Sequence, residues 1–182
     1  MIGILALQGD YDEHKEVLDS LHANNMLVKT PEDLEKVKGL IMPGGESTVQ
    51  GMLLEETGLA NAIFKRAKKG MPIFATCAGA ILLANKVIGG EKWLRLVDMT
   101  IERNAYGRQY ESFNEDISIE NIGVVHGAFI RAPIIKKTKA KVLATFKDNP
   151  VVIQQDSILV TTFHPEICDE KHVHEYFVKM VK

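Results

Sequence analysis

Short, unbroken apolar runs alternate with stretches of helical periodicity through the first half of the chain. Ile2-Gly3-Ile4-Leu5-Ala6-Leu7 has the pattern of a strand covered on both faces. Asp10 followed by Glu13 predicts a capping box, with Val17, Leu18 and Leu21 at helical spacing behind it and Asn24-Asn25 closing the helix. Met26-Leu27-Val28 is a second strand candidate. Pro31 with Glu32, Asp33 and Glu35 suggests a short helical turn, and 39–42 is a third strand closed by Pro43-Gly44-Gly45. Helices are predicted over 47–56 and 59–69, then a strand over 72–76 and a helix over 78–85. Such alternation with short connections reads as an α/β fold with a mostly parallel sheet. Ligands in these sheets sit beyond the carboxyl ends of the strands, where both Pro43-Gly44-Gly45-Glu46 and Cys77 fall.

The second half changes character. Strands are predicted over 96–102, 124–131, 142–146, 151–155 and 158–162, without a long amphipathic helix between them. Antiparallel hairpins are therefore expected, one turning at Gln155-Asp156-Ser157. After Phe163-His164-Pro165-Glu166 a final helix is marked by Val173, Phe177, Met180 and Val181. With no repeat or linker in view, one domain over 1–182 is the expectation.

Composition narrows the function classes. The 22 basic and 24 acidic residues leave a formal net charge of −2, which argues against affinity built on phosphate neutralisation and hence against a nucleic-acid partner. At 46% hydrophobic and 25% charged, the 182 residues have ordinary globular values. No apolar run approaches a membrane span, and Met1 leads into a strand-like run without a basic n-region, so a cytoplasmic protein is expected. Two cysteines, Cys77 and Cys168, are too few for a disulfide scaffold.

Cys77 carries the strongest chemical signal. In Ala75-Thr76-Cys77-Ala78-Gly79 it sits at a strand-to-helix turn with small residues two before and two after, as a nucleophile elbow requires. A helix N-terminus at that point favours thiolate over thiol. A small buried hydrophobe is the competing reading. A cysteine nucleophile needs a base, and the base needs an orienting group; His164 and Glu166, two apart in an extended segment, can point the same way. Alone, His-Pro-Glu also reads as a solvated turn.

Pro43-Gly44-Gly45-Glu46-Ser47 can bring backbone N–H groups to an oxyanion, or can be a tight turn capped by Ser47. Arg103 and Arg131, at strand ends, can each clamp a carboxylate, or be solvated as most arginines at strand ends are, and physics alone chooses neither. A metal site from His164, Glu166, Cys168, His172 and His174 is disfavoured, because His172 and His174 are two apart on a helix and point to different sides.

Taken together and in this order, the Pro-Gly-Gly-Glu-Ser loop, the Cys-Ala-Gly elbow and the late His-Pro-Glu resemble a class I, triad-type glutamine amidotransferase. Leu7-Gln8-Gly9-Asp10 with Glu13-His14, Arg103-Asn104-Ala105-Tyr106-Gly107-Arg108-Gln109 and Phe129-Ile130-Arg131-Ala132-Pro133 narrow the resemblance to the glutaminase subunits of pyridoxal 5′-phosphate synthases. The resemblance runs from Ile2 to the final helix. It implies a three-layer α/β/α, flavodoxin-like fold and hydrolysis of L-glutamine to L-glutamate and ammonia through a thioester on Cys77, with His164 as base and Glu166 orienting it. It implies Gly45, Glu46, Ser47, Arg103, Ile130 and Arg131 as glutamine-binding positions, and backbone N–H groups of Gly45 and Ala78 as the oxyanion hole. No cofactor is implied.

The implied partner is the lyase subunit of the synthase, in a hetero-oligomeric ring that receives the ammonia, with Gln8, Glu13 and His14 as candidates for the docking face. Arg95 occupies a place where this family commonly has glycine, and the segments 85–95 and 112–127 look shortened. Two rivals share much of the pattern: a glutaminase serving an imidazole glycerol phosphate synthase, separated by the 103–109 motif, and a non-catalytic subunit, disfavoured by the intact triad. A stress-related cysteine hydrolase has a histidine directly after its cysteine, where this chain has Ala78.

Overall fold

A computed structural model describes residues 1–103, 112–168 and 170–181. Its centre is a seven-stranded sheet. Five strands run parallel: β1 (Ile2–Leu5), β2 (Asn25–Val28), β3 (Gly39–Met42), β4 (Ile73–Thr76) and β12 (Ile158–Thr161). Their spatial order, β2-β1-β3-β4-β12, is that of the flavodoxin-like doubly wound sheets. The antiparallel strands β11 (Asn149–Gln155) and β10 (Lys141–Phe146) extend it beyond β12. The hairpin joining β11 to β12 turns at Asp156-Ser157, as the sequence pattern predicts.

The continuous apolar runs follow from cover on both faces. On one face Leu40 and Met42 of β3 pack with Leu54 of α3 (Ser47–Glu56), Leu59 and Ile63 of α4 (Leu59–Lys68) and Leu82 and Leu83 of α5 (Ala78–Leu83). On the other face Ile41 of β3 and Phe74 of β4 pack with Leu18 of α1 (Tyr11–Ser20) and with Val173 and Phe177 of α6 (His172–Val181). A short α2 (Pro31–Glu35), capped by the Thr30 hydroxyl, lies with the first group through Leu34.

Three strands were not legible in the sequence. β5 (Ala84–Ile88) pairs with β6 (Val97–Glu102), and β6 with β9 (Ile134–Thr138), in a small second sheet. β7 (Ser112–Ile119) forms a hairpin with β8 (Gly123–Ile130). The predicted helix over 78–85 therefore ends early, at Leu83. Periodicity does not separate a short buried helix from a strand, and Lys86 of β5 and Lys136 and Lys137 of β9 are exposed. Arg95 has φ 51°, a backbone that favours glycine. Residues 104–109 of the motif that begins at Arg103 lie outside the described residues. Among the described residues no helix is long and apolar enough to cross a membrane.

Candidate active site

The site lies at the carboxyl ends of β1, β3, β4 and β12. β4 and β12 are neighbours in register, with Thr76 opposite Thr161, so the residues that follow each strand emerge side by side. The Cys77 N–H donates to the Thr161 carbonyl at 3.1 Å. Cys77 itself has φ 46° and ψ −103°, an unfavourable conformation for a residue with a side chain, and α5 starts immediately after it. A Cβ at Gly79 would run into the Met42 carbonyl oxygen at the end of β3, so the elbow depends on a glycine two residues after the cysteine.

His164 follows β12 and is fixed by a two-residue bridge to β8. Its N–H donates to the Ala128 carbonyl at 2.8 Å, and the Ala128 N–H donates back at 3.2 Å. The same bridge carries the end of β8, with Ile130 and Arg131, to the mouth of the site.

The side chains meet as a hydrogen-bonded chain. His164 Nδ1 lies 2.8 Å from Glu166 Oε1, and Cys77 interacts with the same ring. Burial pushes the His164 imidazolium down, but the bonds to Cys77 and Glu166 outweigh it and raise it to about 11. Burial likewise pushes the Glu166 carboxyl up, and His14 and His164 outweigh that, holding it well below the usual carboxylate range. His164 therefore carries a proton at neutral pH beside an ionised Glu166. Cys168 is different: burial pushes its thiol up and the Glu166 charge adds to that, which makes it a poor nucleophile.

A cavity of about 350 Å³ opens over Cys77. Gln8, Asp10, Gly45, Glu46, Ser47 and Ala78 line it, together with Arg103, Ile130, Arg131 and His164. All the substrate-binding and oxyanion positions inferred from sequence are thus gathered in one place. Their side chains divide the work unequally. Glu46, not Ser47, caps α3: its carboxylate accepts from the Thr48 and Val49 N–H groups at 3.2 and 2.7 Å. Ser47 is the first helical residue and is buried. Arg103 is tied to the same cap, 2.8 Å from Glu46 Oε1 and 3.1 Å from Thr48 Oγ1. Arg131 has no ion pair among the described residues and faces the cavity.

Two further polar residues support the rim: Gln50, not singled out in the sequence, and Asp10, expected there only as a helix cap and a motif residue. Gln50 is fully buried, and its amide donates to the carbonyls of Gln8, Pro43 and Gly44, tying the loop after β1 to the loop after β3. Asp10 occupies the N-cap position of α1 but makes no side-chain cap bond, contrary to the capping box expected. Its carboxylate instead lies 3.5 Å from His164 Nδ1. Asp10, His164 and Glu166 bring one potential ligand atom each within 4.8 Å of one another. His164 Nδ1 is engaged by Glu166 at 2.8 Å. His172 is exposed and His174 fully buried, so they do face different sides.

One expected role is overturned. His14, proposed above for a docking face, is fully buried. Its Nε2 lies 3.2 Å from Thr76 Oγ1 and 3.3 Å from Glu166 Oε1, and its Nδ1 lies 2.9 Å from His174 Nε2. The core stripe of α1 through Val17 and Leu18 carries His14 inward. Glu13, one residue earlier, is exposed, and Gln8 is engaged through its Oε1, which accepts from the Glu46 N–H at 2.8 Å.

Comparison with known proteins agrees with this geometry. Residues 4–182 match the SNO glutamine amidotransferase family. The chain belongs to that family. It is 45% identical to the pyridoxal 5′-phosphate synthase subunit PdxT of Thermus thermophilus, over 99% of this chain and 97% of that protein. The PdxT of Thermotoga petrophila is equally similar at 45%, over 100% of this chain and 99% of that one. A crystal structure of a glutamine amidotransferase superposes with a TM-score of 0.95 at 43% identity, covering 99% of this chain and 98% of that one. The structure of PurLQS from Thermotoga maritima shares the fold at a TM-score of 0.72 and 17% identity, covering 100% of this chain and 98% of that chain. Family membership thus extends from the strand pattern to the whole described chain.

Proposed function

We propose that this chain is the glutaminase of a pyridoxal 5′-phosphate synthase, hydrolysing L-glutamine to L-glutamate and ammonia at Cys77. The observation that carries the site assignment is the Cys77–His164–Glu166 chain on a strained elbow, opening into a cavity with an available arginine. With the proton resting on His164, the Cys77 sulfur attacks the side-chain amide carbon of glutamine. Backbone N–H groups of Gly45 and Ala78 receive the oxyanion. Collapse breaks the C–N bond as His164 gives its proton to the leaving nitrogen, releasing ammonia and leaving a thioester. Neutral His164 then takes a proton from water, whose oxygen attacks the thioester. Collapse returns the thiolate and imidazolium and frees glutamate. Arg131, with Arg103, meets the substrate carboxylate, and Glu46, Ser47 and Ile130 complete the pocket.

The relatives are named as subunits of a pyridoxal 5′-phosphate synthase, which supports a synthase partner as the destination of the ammonia. In this reading that partner is the lyase subunit, joined with this chain in a hetero-oligomeric ring. Keeping ammonia inside such a complex avoids its protonation in water. The whole chain acts as one domain, a reading supported by two cores that share one sheet. The reading also carries a cytoplasmic setting, with neither a nucleic acid nor a membrane as partner. The test is glutamate release from glutamine, with and without that subunit, for wild type and Cys77→Ala. Release that depends on the subunit and vanishes in Cys77→Ala is expected; release in Cys77→Ala overturns the nucleophile, and release indifferent to the subunit overturns the partner.

A further inference from the structure

Glu166 has an unusual set of partners. It is fully buried and ionised, and its Oε1 gathers three polar contacts: His164 Nδ1 at 2.8 Å, His14 Nε2 at 3.3 Å and Thr76 Oγ1 at 3.4 Å. Among the described protein atoms Oε2 has none. The orientation of the carboxylate therefore rests on what surrounds a single oxygen. A buried carboxylate that loses a donor suffers a desolvation cost that nothing replaces.

His14 Nε2 reaches Glu166 directly at 3.3 Å and through the Thr76 hydroxyl, which lies 3.2 Å from Nε2 and donates to Glu166 Oε1, and its position calls for an explanation. It lies on the core stripe of α1 with Val17 and Leu18, where an aliphatic side chain would complete the packing. An imidazole there instead reaches 160 residues along the chain to His174 on α6, and through its other nitrogen to Glu166. Burial first, and the neighbouring His14 next, hold His174 down to about 3, so His174 is neutral. With His14 Nε2 turned to Glu166 as donor, its Nδ1 accepts the Nε2–H of His174. Phe74 packs edge-on against both rings, with centroids 5.9 Å from His14 and 5.3 Å from His174. The pair is thus fixed from the apolar side as well as the polar side. Neither histidine borders the substrate cavity.

We propose that His14, held by His174, is a positioning residue that aims the Glu166 carboxylate at His164 and so acts on glutamine hydrolysis without touching substrate. This rests on the triad reading above. The donor atom is His14 Nε2, acting on Glu166 Oε1 directly and through Thr76 Oγ1. Removing that donor lets the carboxylate turn away from the plane of the His164 ring, which slows proton transfer at every step that uses it. Binding of glutamine, which occurs on the far side of His164, is left alone.

The experiment uses the glutaminase assembled with its synthase subunit and measures kcat and KM for glutamine. The variants are His14→Leu, His14→Gln, His174→Phe, Glu166→Ala, Glu166→Ala/His14→Leu and Cys77→Ala. His14→Leu is expected to lower kcat by about tenfold to a hundredfold, the range for one hydrogen bond to a charged group, with KM unchanged. His14→Gln places an amide N–H at similar reach and restores most of kcat. His174→Phe keeps the ring packing and loses less than His14→Leu. In the Glu166→Ala background His14→Leu has no further effect, because its influence passes through the carboxylate.

Wild-type kcat in His14→Leu overturns the proposal. So does a loss that appears in KM, a loss that persists undiminished in the Glu166→Ala background, or a His14→Gln no better than His14→Leu. Should His14→Leu fail to fold, His14→Gln and His174→Phe decide: His14→Gln close to wild type with a reduced His174→Phe supports the relay, and any other pairing overturns it. Full activity in Cys77→Ala would sink the triad itself, a result distinguishable from failure of the relay alone.

Discussion

In the proposed triad, His164 rests with the proton it would deliver already on its ring. Its imidazolium is raised to about 11, against an ordinary 6.5, by Cys77 and Glu166 in spite of burial. A group raised on folding contributes stability that is fully present below its unfolded value and is lost as pH rises through the folded one. The carboxylate of Glu166, held low, contributes stability present above its ordinary 4.5 and lost as pH falls through its depressed value. Glu166→Gln removes the charge behind His164. The stability advantage of wild type over this variant is expected to be largest in the mildly acidic range and to shrink as pH is raised towards 11. Urea unfolding across pH measures it, and an advantage that grows with pH contradicts the assignment. A proton NMR titration of His164 should show its midpoint lowered in Glu166→Gln.

At the scale of elements, the site is made by loops that approach one another more closely than side chains allow. Gly44 follows β3, and a Cβ there would collide with the His164 ring. Gly44→Ala is expected to displace the ring and lower kcat by about a hundredfold, the scale of a 1 Å misplacement, while the fold survives. Retention of wild-type kcat would show that the ring can move without penalty. Glu46 ends the same loop as the cap of α3. Burial pushes its carboxyl up, but the Val49 and Thr48 N–H groups, with Arg103, hold it below its usual value. Glu46→Ala should cost about 1 kcal/mol at neutral pH. The sign follows from the lowered value: the cap is present above 4.5, and wild type and variant converge as pH falls through it. Denaturation at neutral and acid pH tests this.

In the whole molecule, one sheet separates two cores, and only one of them backs the buried histidines beside Glu166. Leu40 belongs to the core under α3, α4 and α5, whereas Phe74 belongs to the core under α1 and α6 and touches both buried histidines. Truncating either to alanine leaves a cavity, costing about 2–5 kcal/mol for Leu40 and about 3–5 kcal/mol for Phe74. Their effects on catalysis should differ. Phe74→Ala is expected to lower kcat per folded molecule, and Leu40→Ala to leave it unchanged. Active-site titration alongside thermal melts separates the two, and equal kcat losses would detach Phe74 from the chemistry.

The strand runs at 2–7, 39–42 and 72–76, the helix at 47–56 and the elbow around Cys77 were legible in the chain because they are local. Continuous apolar character, capping chemistry and small residues around a turn act within a few positions of one another. The proposed triad and pocket positions were chosen from their order and residue types, and the fold brings them around one cavity. What sequence left open depends on contacts between distant segments. β5, β7 and β9 become strands only because a partner strand receives them, and Asp10 gives up its capping role for a position near His164. His14 reads locally as one polar residue among several at the start of a helix. Its meaning appears only when α1 and α6 close over Phe74 and bring His14, His174 and Glu166 out of water together, because burial is what turns an ordinary imidazole into an obligatory hydrogen-bond partner.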